Sequence, residues 1–315
     1  MKWKQKSRIQ NLIAKLPSNL SYATYYFFQR NFGGLRNVNP IGHLMAGIKI
    51  ATIIRQQGQT IDSKTFLEIG TGHQINLPIA LWLAGASRII TVDLNPYLKE
   101  ELVFDGISYM RNHQQEIEKL FEEVESPVFA ERLSQLNRVE ENLQRLLAMT
   151  NIQYLAPADA TCLHLESRSV DYHVSYTTLE HISVETLGSI LREGKRLLRQ
   201  RGLFVHCIDF SDHFSHSDRT ISMINFLQFS EEEWKHWAGN RYFYQNRLRV
   251  DDFARLCRDK DLKILSMDTI VDRGSLEELR KGFPLDGRFR TKSAETNATI
   301  NAWLVASDGE AAQQP

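Results

Sequence analysis

Three cysteines in 315 residues, Cys162, Cys207 and Cys257, are too few and too far apart to build a disulfide framework or a zinc motif. They are expected to be buried small hydrophobes in a reducing cytosol. Charge of one sign is also lacking. The 38 Lys and Arg residues match 38 Asp and Glu, so the formal net charge is zero. No basic excess marks a nucleic-acid partner. Long apolar runs are missing as well. The stretch from Ile75 to Ala86 is short and interrupted, so no transmembrane span is expected. Lys2, Lys4, Lys6 and Arg8 open the chain, but no sustained apolar stretch or small-residue cleavage site follows. A secretory signal is therefore not expected, and a cytoplasmic location is. The length suffices for one elaborated domain or two.

What is present is a glycine turn between alternating elements. Residues 66–72 read Phe-Leu-Glu-Ile-Gly-Thr-Gly, and Asp93 ends the apolar run Ile89-Ile90-Thr91-Val92. Gly70 and Gly72 suit a turn that needs positive φ or close ligand approach. The dinucleotide fingerprint would place a third glycine at position 75, which is Ile75. Glu68 stands just before the turn, where its charge would repel a phosphate and suit a cationic ligand. S-adenosylmethionine is cationic and carries no phosphate. Asp93 is placed to accept hydrogen bonds from its ribose hydroxyls.

Further along stand Asp159-Ala160, then Asp171-Tyr172-His173-Val174-Ser175 leading into Leu179-Glu180-His181, then Gly202. With the glycine turn and Asp93, this ordered series resembles the class I S-adenosylmethionine-dependent methyltransferases, especially the type 11-like group whose later motif reads Leu-Glu-His. The resemblance covers roughly residues 60–210. It implies an α/β, doubly wound Rossmann-like sheet, mostly parallel, with the last strand antiparallel. It assigns Glu68, Gly70, Thr71, Gly72, Asp93 and Leu94 to the cofactor. Asp159 and Ala160 would hold the adenine, and Ser175 would lie at the end of the fourth strand. Two positions depart from the family pattern. Gln74 replaces the usual third glycine, and Arg199-Gln200-Arg201-Gly202 replaces a Pro-Gly-Gly turn.

Periodicity divides the chain into an N-terminal extension (1–60), a methyltransferase domain (61–306) and a polar, frayed tail (307–315). In the extension, His43 to Gln57 has helical spacing. The aromatic cluster Tyr22, Tyr25, Tyr26, Phe27, Phe28 and Phe32 could cap a cleft or lie on a membrane surface. Packing on the core is the reading that ordinary aromatic burial favours. Strands are expected at 65–69, 88–92, 152–155, 170–176, 203–208, 262–267 and 300–306. Residues 98–150 are read as an inserted helical hairpin broken at Ser126-Pro127, serving as lid, substrate wall or dimer contact. Residues 209–249 are a second, acceptor-side insertion. Within it, Ser230 and Glu233 form a capping box.

Methyl transfer to a hydroxyl needs a proton acceptor near the methyl group. His181, Asp209 and His213 are the candidate catalytic residues, and His206 and His216 are weaker ones. His213 and His216 would share a face if their segment were helical. No metal is assigned, although Asp209 or Asp212 with the two histidines could ligate one. Arg247 and Arg249 could bind an anionic group on the acceptor, or simply be charges at a helix start. The expected function is methylation of a small molecule or saccharide, at oxygen. The alternatives are a metal-assisted O-methyltransferase, a non-catalytic cofactor-binding scaffold and, disfavoured by Ile75 and Glu68, a nicotinamide-dependent oxidoreductase. The oligomeric state stays open.

Overall fold

Strand β1 (Thr65–Ile69) carries Phe66, Leu67 and Ile69, all buried, and is an inner strand of a seven-stranded sheet. Its neighbours are β2 (Arg88–Val92), β3 (Ile152–Leu155), β4 (Val170–Tyr176), β5 (Leu198–Asp209), β6 (Lys263–Val271) and β7 (Thr299–Ser307). The order is β3-β2-β1-β4-β5-β7-β6. The first five run parallel, and β7 pairs antiparallel with both β5 and β6. Strands buried on both faces need near-continuous apolar runs, as 66–69 and 89–92 supply. The computed structural model describes residues 1–124 and 126–309, so residues 310–315 of the expected tail lie outside it.

Strand β5 begins five residues earlier than expected. Arg199-Gln200-Arg201-Gly202 is not a turn before the strand but an irregular part of it. Leu198 pairs with Val170, the register then shifts, and Leu203 pairs with Tyr172. Arg201 takes φ 67° within this segment.

Helices cover both faces. Helices α1 (Trp3–Ala14) and α2 (Ser18–Phe32) come first in the chain, and one face is covered by α3 (Ile41–Gln56) and by α4 (Asn76–Leu83), whose residues are all buried. Helix α3 packs on α4, and Gly47 makes the approach possible. A Cβ at Gly47 would come within 2.5 Å of the Ala80 Cβ. Leu44, Ile50 and Ile54 of α3 share one core with Phe66, Ile89 and Val174, so a boundary at residue 60 cuts through a packed layer.

The two apolar runs of 98–150 lie on four helices, α5 (Glu100–Asn112), α6 (Gln114–Phe121), α7 (Phe129–Arg138) and α8 (Leu143–Thr150). Ile117, Leu133, Leu136 and Leu146 are buried in that same core. The Arg132 guanidinium donates to the Ala86 carbonyl at 2.9 Å. The segment is a wall of the domain on the α4 side, with its apolar residues already spent on packing.

On the other face, α9 (Val184–Leu197) and α11 (Val250–Arg258) cover β4, β5 and the antiparallel pair. Beyond the end of β5, residues 209–249 form a smaller core of Phe214, Phe226, Trp234 and Phe243. Helix α1 belongs to it: Trp3 packs on Phe214, and its N–H donates to Asp218 at 2.8 Å. The capping box of Ser230 and Glu233 starts α10 (Glu231–Ala238). No described helix is long and apolar enough to cross a membrane.

Candidate active site

The parallel strands β1, β2 and β4 end at one edge, where α/β sheets bind ligands. A cavity of about 480 Å³ opens there. Gly70 takes φ 92°, and a Cβ on it would meet the Thr178 side chain at 2.4 Å. The turn after β1 is thus pressed against the turn after β4, and only glycine fits between them. Gly72, at φ 66°, donates its N–H to Asp93 Oδ2 at 2.9 Å. The N–H of Asn95 bonds Oδ1 of the same carboxylate at 3.0 Å. Burial raises the Asp93 pKa, and these main-chain donors oppose the rise. Asp159 accepts the Thr161 N–H at 2.8 Å, which holds its pKa low.

Gly70, Asp93, Leu94, Asp159, Ala160 and His181 all line this cavity. Its walls add Ile69, Ile182 and Ile190, apolar surfaces suited to a neutral adenine. Two carboxylates face it against one guanidinium, Arg241, which lies over the Tyr22 ring. That donor set suits a cationic, phosphate-free nucleoside, and the volume falls in the range of small-molecule sites.

The structure places the other expected cofactor residues behind the wall. Glu68 is buried within the β1–β2 pair, opposite Thr91, whose hydroxyl donates to its carboxylate. Burial pushes its pKa up to about 8, outweighing that hydrogen bond. Glu68 is therefore largely neutral near pH 7, and its proposed charge selection against phosphate does not hold. Thr71 is buried with its hydroxyl 2.6 Å from that of Thr91. Ser175 is also turned away from the cavity. Its hydroxyl meets His206 Nδ1 at 2.8 Å, and His206 Nε2 lies 3.3 Å from His173 Nδ1, all within the sheet–α9 layer. The period-2 alternation of β4 puts Ser175 on the same face as His173, which the Leu-Glu-His spacing alone does not reveal.

On the acceptor side, His181 Nδ1 lies 2.7 Å from the Tyr244 carbonyl. A carbonyl only accepts, so Nδ1 carries the hydrogen and Nε2 keeps its lone pair. Surrounding protein, and then the nearby His213, lower the His181 pKa to about 4. His213 crosses His181 edge to face, with ring centroids 4.9 Å apart. Asp209 Oδ2 lies 3.3 Å from His213 Nε2, at ion-pair distance but without hydrogen-bond alignment. Burial works against the Asp209 charge, yet His213 and the Ser211 hydroxyl and N–H hold its pKa low.

The segment 209–216 is not helical, though His213 and His216 still stack with centroids 5.1 Å apart. Asp212 is buried and accepts from Asn225 at 2.9 Å and from the Phe214 N–H, so it braces the loop and ligates nothing. Arg247 and Arg249 are not acceptor clamps. Both are buried, Arg247 on the Phe226 and Phe229 carbonyls and Glu231, Arg249 on the carbonyls of Phe210, Asn297 and Thr299. Cys207 and Cys257 are buried as expected, but Cys162 is exposed.

A second cavity, of about 790 Å³, adjoins the first and shares Tyr22, Asn95, Tyr97 and Arg241 with it. Its walls include Tyr25, Tyr26, His73 and Tyr242. Tyr25 stacks on Tyr242 at 4.0 Å, and His73 lies between Tyr26 and Tyr97. The aromatic cluster thus splits. Its tyrosines wall this chamber, while Phe27 and Phe32 are 56% and 76% exposed. Thr178, Tyr97 and Arg241 were not legible as site residues, because no motif marks them and only tertiary contact brings them in.

The family model described as a methyltransferase domain matches residues 124–206. The match spans β3, Asp159-Ala160, β4 and the Leu179–His181 turn. The matched segment is a methyltransferase domain. The donor that such a methyltransferase domain uses is S-adenosylmethionine, and the cavity at the ends of β1 and β2 suits it. Solved structures of similar architecture include a protein from Pyrococcus horikoshii OT3 (TM-score 0.46, 11% identity, 84% of this chain and 88% of that one). Another is magnesium protoporphyrin IX methyltransferase from Synechocystis PCC 6803 with bound SAH (0.45, 12%, 90% and 93%). A third is geranyl diphosphate methyltransferase in complex with SAM (0.46, 11%, 84% and 85%). No curated protein matches the chain in sequence.

Proposed function

We propose that this methyltransferase acts on a hydroxyl of a small molecule or saccharide. The observation that carries the reading is His181, which lines the cofactor cavity with its Nδ1 held by the Tyr244 carbonyl and its Nε2 bare. The adjoining aromatic chamber supports an acceptor small enough to enter it and suited to tyrosine faces. The zero net charge goes with a small-molecule acceptor rather than a nucleic acid. A cytoplasmic setting is part of the same reading, and the three cysteines are free.

S-adenosylmethionine supplies a methyl group on a sulfonium, activated for in-line displacement. The chain supplies alignment and exclusion of water. Asp93 and Asp159 orient the nucleoside, the Gly70 turn sets its depth, and Nε2 of His181 accepts the acceptor's O–H as a hydrogen bond. As the O–C bond forms and the C–S bond breaks, the hydroxyl proton passes to that nitrogen. Asp209 and His213 stand behind it.

The test is incubation of the chain with methyl-labelled cofactor and a small-molecule extract. Label is expected in a low-molecular-weight product, as an alkali-stable ether. Label only in protein or nucleic acid would overturn the reading.

A further inference from the structure

We propose that Glu180, His181 and His213 form a divalent-cation site at the acceptor end of the cleft. The inference rests on the small-molecule acceptor of the proposed function for what the cation does, though not for whether it binds, and with the cation bound it replaces His181 as the group that activates the hydroxyl. One ligand atom from each residue lies within 4.8 Å of the other two. Two come from the turn after β4, the third from the loop after β5.

None of the three donors is tied up in a hydrogen bond that a cation would have to break, although His213 Nε2 lies 3.3 Å from Asp209 Oδ2. Glu180 is 3% exposed, and neither carboxylate oxygen has a hydrogen-bond partner. Burial raises its pKa well above the usual carboxylate value, and the nearby main-chain N–H groups of Glu180 and Asp209, neither in hydrogen-bond geometry, oppose that rise only in part. No lysine or arginine pairs with it among the described residues. A buried carboxylate without a partner is costly, and such a group asks for an explanation. His213 Nε2 is likewise buried without a hydrogen bond. His181 gives its Nδ1 hydrogen to a backbone carbonyl, the arrangement by which ligating histidines fix the tautomer that frees the other nitrogen.

Two imidazoles and one carboxylate suit a first-row cation such as zinc, and not the all-oxygen preference of calcium or magnesium. Three protein ligands leave a fourth position open. His181 lines the cofactor cavity, so a cation it holds would lie at the edge of that cavity, where an acceptor oxygen would be its fourth ligand. With the cation in place, His181 Nε2 is a ligand and the hydroxyl proton leaves to water. The O–C bond forms and the C–S bond breaks as before, the electron pair staying on sulfur. Asp209 Oδ2 lies 3.3 Å from that same His213 nitrogen and adds negative charge beside the cation.

The full chain, stripped with chelator, should bind one equivalent of Zn²⁺ by calorimetry. Co²⁺ should give the intense visible band of a tetrahedral site. Glu180→Gln and His213→Ala should each weaken zinc at least ~30-fold, and His164→Ala, an exposed control, should not. Glu180→Gln keeps shape and removes only charge. Its melting temperature should hold or rise while zinc affinity falls, which separates ligand loss from misfolding. No stoichiometric zinc or cobalt, or unchanged affinity in both variants, would overturn the site. Zinc bound at one equivalent with no methylated small molecule would sink the acceptor reading alone. Full turnover of the chelator-stripped chain would overturn the cation's part in the reaction.

Discussion

The carbonyl of Tyr244 takes the Nδ1 hydrogen of His181 at 2.7 Å, so a loop of the 209–249 insertion sets the tautomer of a residue on the core turn after β4. Cofactor cavity and insertion are thereby joined through the His181 ring. The insertion is held in turn by Trp3 and Asp218, which tie the N-terminal helix to it.

His181→Ala is expected to lower kcat by about 100-fold, the scale of general-base loss, while cofactor affinity changes less than about twofold. The sign of the pH dependence follows from its depressed pKa, about 4. The ring is neutral above that value and charged below it, so kcat should show no His181 limb near pH 6.5. Rates measured from pH 5 to 8 check this. An inflection near 6.5 that vanishes in the alanine variant would contradict it.

Asp93→Ala removes the acceptor for the Gly72 and Asn95 N–H groups and for the ribose. Cofactor affinity by calorimetry should fall at least ~10-fold, since hydrogen bonds to charged groups carry roughly 1.5–3 kcal/mol. Unchanged affinity would mean that the nucleoside lies elsewhere.

Gly70→Ala should abolish cofactor binding, because the left-handed φ is strained for alanine and the new Cβ strikes Thr178. Trimming the neighbour with Thr178→Ala should recover little of that loss, as the backbone strain persists. Full recovery in the double variant would assign the whole effect to the clash.

Glu68 makes stability depend on pH. Its folded pKa, about 8, stands above the usual carboxylate value. Its contribution is fully present below about pH 4.5 and is lost as pH rises through 8. Glu68→Gln should therefore gain stability over the wild type as pH goes from 5 to 8.5, by roughly 4 kcal/mol at most. Urea unfolding at the two pH values reads this directly. An equal difference at both would contradict it.

Much of this architecture was legible because it rests on local patterns. The apolar runs ending at Ile69 and Val92, the left-handed glycines and the Ser230–Glu233 cap are encoded within a few residues. The site was legible where a motif residue sits at a strand's end, as Asp93 and His181 do. It failed where a side chain's neighbour is distant in sequence. Glu68 reads as a charge until Thr91 and burial neutralise it. Arg247 and Arg249 read as anion clamps until carbonyls from residues 18 to 50 positions away occupy them. Arg241 and Tyr97 carry no local signal and enter the site only by folding.

The most direct measurement is a crystal structure of the chain with S-adenosylhomocysteine. Both ribose hydroxyls are expected on Asp93, the adenine between Leu94 and Ala160, and the sulfur opening toward Nε2 of His181. Adenosine bound outside that cavity, or a sulfur facing away from His181, would contradict it.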